Sequence, residues 1–105
     1  MTFLAILISA VSVVITPSHC FEPCLIKYVV TVPEWEKVRE VCIHIEDTYS
    51  RTACWPPMFK TTNTQLRDVP GGEYKSWASV ILLDKSEVST PQKDIKVIGE
   101  NGAEE

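Results

Sequence analysis

The sequence predicts a small all-β protein, an antiparallel two-layer sandwich of about six or seven short strands behind an N-terminal secretion signal. Three observations predict it. From Tyr74 to Leu83 the chain alternates, with Tyr74, Ser76, Ala78, Val80 and Leu82 on one face and Lys75, Trp77, Ser79, Ile81 and Leu83 on the other. Period two with β-branched and aromatic enrichment is the mark of a half-buried strand. Several further β-branched runs are set apart by proline, glycine and acidic turn residues. Four cysteines follow an uncharged apolar N-terminus, the usage of a small domain folded in an oxidising compartment.

The elements follow in order. Phe3 to Ile15 is apolar or small throughout and carries no charge. As a helix it would reach only ~20 Å, short for a bilayer. Small residues stand at Thr16 and Ser18, and again at Ser18 and Cys20, and either pair fits leader cleavage. Residues 1–18 are therefore expected to be a signal peptide, with an uncleaved anchor as the alternative. Cleavage after Ser18 keeps all four cysteines, whereas cleavage after Cys20 leaves an odd number. No stable membrane span is expected once the leader is gone. Residues 19–98 are expected to form the sandwich, and 99–105, with two glycines and no apolar anchor, a disordered acidic tail.

Cys24–Val32 reads as the first strand, with Leu25, Tyr28 and Val30 toward the core. The segment 34–42 is ambiguous. Trp35, Val38, Cys42 and Ile45 would share a helical face, yet Val41, Ile43 and Ile45 alternate with Cys42 and His44, and β-branched residues crowd a helix. A turn or single helical turn at Pro33–Glu36 followed by a strand Val38–Glu46 reconciles the two. A turn at Asp47–Ser50 then sends Thr52–Trp55 back antiparallel until Pro56-Pro57 stops it, placing Cys42 opposite Cys54 within reach of a disulfide. Met58–Gln65 suits a loop leading to an edge strand. Pro70-Gly71-Gly72 breaks the chain, so the central strand starts no earlier than Glu73. Lys85–Glu87 is a turn, and Gln92–Ile98 a last strand with Ile95 and Val97 on one face.

Leu66-x-x-Val69-Pro70-Gly71-Gly72-x-Tyr74 resembles the corner between the fifth and sixth strands of fibronectin type III and other immunoglobulin-like domains, though the loop is one residue shorter than the usual pattern. The resemblance covers about a fifth of the chain. It implies that the Tyr74 ring packs under the corner and that its hydroxyl bonds to backbone a few residues upstream. The string Val41-Cys42…Asp47…Cys54-Trp55-Pro56-Pro57 is similar to β modules appended to some secreted or Golgi glycosyltransferases. It supplies no catalytic residue.

The chemistry-bearing residues point away from catalysis. Cys20, Cys24, Cys42 and Cys54, with His19 and His44, are numerous enough for a zinc site, but the spacing is not that of a finger or ribbon. Disulfides are expected and metal is not. Cys20–Cys24 would close a small loop, although four cysteines allow three connectivities. Neither histidine stands in a nucleophile motif, no phosphate-binding glycine loop occurs, and Glu46-Asp47 reads as a solvated turn. His44 reads as a surface or cross-strand residue. A net charge of -4 without a basic cluster argues against nucleic acid and against an anionic membrane surface.

Aromatic residues remain. Trp35, Trp55 and Trp77 are the candidate ligand contacts. Trp77 lies opposite Tyr74 and Val80 in strand parity, where an exposed indole can stack on a sugar or anchor a protein. The competing reading packs it under a neighbouring loop or on Trp55. The expected function is a non-catalytic, cofactor-free secreted module that recognises an extracellular protein or carbohydrate. Two alternatives stand beside it: an accessory β domain of a glycan-processing enzyme such as a glycosyltransferase, and a small secreted effector or inhibitor.

Overall fold

A computed structural model of the protein describes residues 11–47 and 49–99. Residues 1–10, Thr48 and the residues from 100 on, and with them most of the expected apolar leader and the expected acidic tail, lie outside the described residues. Among the described residues nine strands run in chain order: β1 (Ser12–Thr16), β2 (His19–Phe21), β3 (Cys24–Thr31), β4 (Val38–Glu46), β5 (Arg51–Trp55), β6 (Thr61–Val69), β7 (Gly72–Leu82), β8 (Glu87–Ser89) and β9 (Lys93–Ile98). A 3-10 turn at Trp35–Lys37 is the only helical element among the described residues. No helix of the described residues is long and apolar enough to cross a membrane.

The strands form two sheets. One is three-stranded in the order β1-β3-β6. The other has six strands, ordered β2-β9-β7-β4-β5 with β8 also on β7. Pairing is antiparallel except for β2 beside β9. One core lies between them. It takes Ile26, Tyr28 and Val30 from the smaller sheet and Val41, Ile43, Ile45, Ala78, Val80, Ile95 and Val97 from the larger. Alternate positions along each strand feed it, as strand parity requires. The alternation expected of 74–80 holds, and β7 is the central strand, between β4 and β9.

Several boundaries differ from expectation. Cys24–Thr31 is the third strand, since β1 and β2 precede it. Leu25 is 39% exposed and Ile26 fully buried, because Cys24, Ile26, Tyr28 and Val30 share one parity and Leu25 has the other. β6 starts at Thr61, inside the stretch expected to be loop, because every residue from Thr61 to Gln65 has a partner on β3. Gly72 belongs to β7, paired with Val97, although no residue before Glu73 was expected in that strand. β8 occupies what reads as the end of a turn.

The largest difference lies at the N-terminus. β1 falls within the segment expected to be a leader, yet it pairs with β3 from Ser12–Thr31 to Thr16–Lys27. Ile15 is 2% exposed and sits opposite Tyr28, and the Lys93 ammonium donates to its carbonyl at 2.6 Å. The described β structure therefore begins at Ser12, upstream of residue 19.

At the corner, the Tyr74 hydroxyl donates to the Pro70 carbonyl at 2.7 Å, and Tyr49 meets the Tyr74 ring edge-on at 6.0 Å. Leu66 and Val69 are buried beneath it. A Cβ on Gly71 would come within 2.8 Å of the Gly99 backbone, so this glycine is set by close approach of two chain segments.

Candidate functional site

Residues that point away from the core on the larger sheet form rows across β5, β4 and β7. Thr52, His44 and Trp77 make one row. Cys54, Cys42 and Ser79 make the next, continued by Ser89 on β8, and Glu46, Lys75 and Asp94 flank the first row on its other side. Cross-strand neighbours on one face lie close enough for side chains to interact directly. Here they do.

His44 is the hub. Its ring lies against the indole of Trp77 with centroids 4.9 Å apart and planes 16° from parallel. Nε2 bonds to Ser79 Oγ at 2.8 Å, and Nδ1 to Thr52 Oγ1 at 3.2 Å. In the neutral ring one nitrogen donates and the other accepts, and the two hydroxyls can serve either role. Burial pushes the His44 pKa below the ordinary histidine value, while Glu87 and Glu46 pull it the other way. Desolvation wins. The imidazole is therefore neutral at physiological pH, and its position against Trp77 is that of a neutral stack.

The same residue is fixed from inside. The Tyr28 hydroxyl, fully buried in the smaller sheet, donates to Ser76 Oγ at 2.6 Å, and Ser76 donates to the His44 carbonyl at 2.6 Å. This thread crosses the core from one sheet to the other and holds the backbone that carries the outer ring. Burial raises the Tyr28 pKa, which keeps the phenol protonated as the donor the thread needs.

Two disulfides brace the protein. Cys42–Cys54 joins directly opposed residues of β4 and β5, next to the His44 row. Cys20–Cys24 closes the turn between β2 and β3, and so links the two sheets. Both fit an oxidising compartment. The Glu40 carboxylate lies with the Cys42 and Cys54 sulfurs inside a 4.8 Å cluster, but sulfurs joined to each other are not thiolate ligands.

The three tryptophans are not brought together. Trp77 is half-buried on the outer face. Trp55 points to the inner side of edge strand β5, opposite Val41, and Trp35 sits in the 3-10 turn; both pack against the core rim. Trp77 rests on His44, a partner the sequence reading did not consider. Nor did that reading single out Ser79, Thr52 or Ser76. Parity put His44 and Trp77 each on a non-core face, but only the β4–β7 register makes them neighbours.

A shallow groove of about 480 Å³ continues from the Lys75 row, lined by Glu46, Asp47, Glu73, Asp94, Lys75 and Lys96 among others. Lys75 pairs with Asp94 along it. The outer face of the smaller sheet is different. Its rows are Ser12–Thr31–Thr61, Val14–Val29–Asn63 and Thr16–Lys27–Gln65, with neither an aromatic ring nor a carboxylate.

Comparison with family models, with curated proteins and with solved structures finds no match to this chain. The fold and site therefore speak through their geometry alone.

Proposed function

We propose that the protein is a non-catalytic recognition module of the extracellular space or secretory lumen, an immunoglobulin-like or fibronectin type III-like sandwich that contacts an extracellular protein through the outer face of its larger sheet. The observation that carries this reading is the Trp77–His44 stack. A large aromatic held in one geometry by a neighbour, itself fastened through both ring nitrogens, loses little freedom on binding and makes an effective anchor. The surrounding Glu46, Glu87 and the Lys75–Asp94 pair form the polar rim such anchors carry.

A protein partner suits the geometry better than a sugar. One face of Trp77 is taken by His44 and the indole is half-buried, which leaves less of the ring for the broad stacking a sugar needs than for the edge and face contacts of a protein side chain. The Ser79–His44 bond has the length of a nucleophile–base pair, but Ser79 is 1% exposed beneath the ring and the far nitrogen meets a hydroxyl instead of a carboxylate. That arrangement supports a structural role. The strand order, with sheets β1-β3-β6 and β2-β9-β7-β4-β5, and the Tyr74–Pro70 bond support the sandwich family.

The test is an array of extracellular proteins, with a parallel array of glycans, probed with secreted wild type and Trp77→Ala. The expected result is protein binding that falls at least tenfold in the variant while its melting temperature stays close to wild type. Glycan binding that vanishes in Trp77→Ala would replace the protein reading with a carbohydrate one. Protein binding indifferent to Trp77 would remove the proposed face.

A further inference from the structure

We infer that two copies of this chain associate through the free edge of β6, paired antiparallel about Asn63, so that their three-stranded sheets join into one. This edge lies on the sheet that does not carry Trp77. Among the described residues β6 ends the smaller sheet and pairs only with β3. It is 9 residues long, whereas the edge strands β1, β2, β5 and β8 have 5, 3, 5 and 3. The Val32 N–H donates to the Lys60 carbonyl at 2.8 Å, which sets the alternation of the β3–β6 ladder. Thr62, Thr64 and Leu66 therefore turn their backbone groups toward β3, and Thr61, Asn63 and Gln65 turn theirs outward. The next outward carbonyl, that of Arg67, accepts from Arg51 Nη1 at 3.0 Å, and Asp68 sits in the left-handed region at φ 57°. The edge is closed there and open from Thr61 to Gln65.

Folded proteins guard such edges with charge, proline or a bulge. Thr61–Gln65 has none of these. By contrast, β2 lies between Pro17 and Pro23, β1 runs into Pro17, and β5 starts at Arg51 and runs into Pro56-Pro57. A second copy fits because the open segment is complementary to itself. About a two-fold axis at Asn63, that residue meets its own counterpart and Thr61 meets Gln65, each pair exchanging both backbone bonds. Thr62 of one copy falls opposite Thr64 of the other on the half-buried side, a favourable threonine pair. The same register brings Phe59, 70% exposed, and Met58, 67% exposed, toward the Arg67 end of the other copy, where an arginine stem can cover them.

Sedimentation velocity of the full chain over a concentration series, at low and high salt, tests this. Wild type is expected to form dimers insensitive to salt, since no ion pair holds them. Asn63 is exposed, so Asn63→Lys and Asn63→Glu should melt like wild type. Each should dimerise at least about tenfold more weakly, because like charges then meet across the axis. An equimolar mixture of the two is expected to recover the dimer, which requires a register that sets residue 63 opposite itself. Wild type that stays monomeric at millimolar concentration, dimers indifferent to both variants, or a mixture no better than its parts would each overturn the inference. Dimers lost in Trp77→Ala but kept in Asn63→Lys would place the contact on the larger sheet and overturn it as well.

Discussion

His44 is held by two sets of hydrogen bonds that differ in almost every physical respect. Inside, Tyr28 and Ser76 reach its carbonyl through a dry core, where each polar atom has no alternative to its partner. Outside, Thr52 holds the ring from the exposed side, where water can replace a lost bond, while the buried Ser79 holds it from beneath. An unpartnered group costs most where water cannot reach it. The inner thread should therefore answer to stability, and the outer cluster to recognition and pH.

Tyr28→Ala breaks the comparison most severely. It removes a fully buried ring and the head of the thread together, and should cost about 3–5 kcal/mol in chemical denaturation. In so small a domain this is enough to abolish folding near body temperature. Replacing Cys42 and Cys54 together by alanine comes next. The bridge closes a sequence separation of 12, so its loss should cost about 3 kcal/mol, more than loss of Cys20–Cys24 with its separation of 4 on loop-closure grounds alone. A calorimetric series of the two paired variants checks the order. Ser76→Ala leaves the Tyr28 hydroxyl buried without an acceptor and should cost about 1–3 kcal/mol. If it cost no more than a surface substitution, the thread would not be the core element described.

The outer cluster should respond more gently. His44→Phe keeps a ring against Trp77 but deprives Thr52, which water can reach, and the buried Ser79 of their partner, for a loss of about 1–2 kcal/mol. Its sharper signature is in pH. The folded His44 pKa lies below its unfolded value, so the unfolded chain binds the proton first. Stability is full above about pH 6.5, the ordinary histidine value, and falls as pH drops through the lower folded pKa. Urea midpoints measured down that window should decline in wild type and stay flatter in His44→Phe.

Much of this fold was legible because β4, β5, β7 and β9 are long enough to show their parity, and the turn after β4 sets Cys42 against Cys54. β2 and β8 have three residues each, too few for any period to register. β1 was hidden for another reason. An apolar, β-branched N-terminus satisfies both a leader and a buried strand, so no pattern there singles out the strand that pairs with β3. The outer site was half legible. Trp77 stood out by parity, but its contact with His44 depends on the register of strands distant in sequence, which no local pattern specifies. His44 reads as a surface or cross-strand residue because its strand neighbours Ile43 and Ile45 take the core, and it is the second, with Thr52, Ser79 and Trp77 on the flanking strands as its partners.

The most direct measurement is an NMR titration of the His44 imidazole together with the Trp77 indole. A cation over the indole would favour protonation, while burial opposes it. The account expects His44 to titrate below the ordinary histidine value, with the indole resonances moving at the same midpoint because the rings are stacked. Titration at or above that value, with the indole silent, would contradict it.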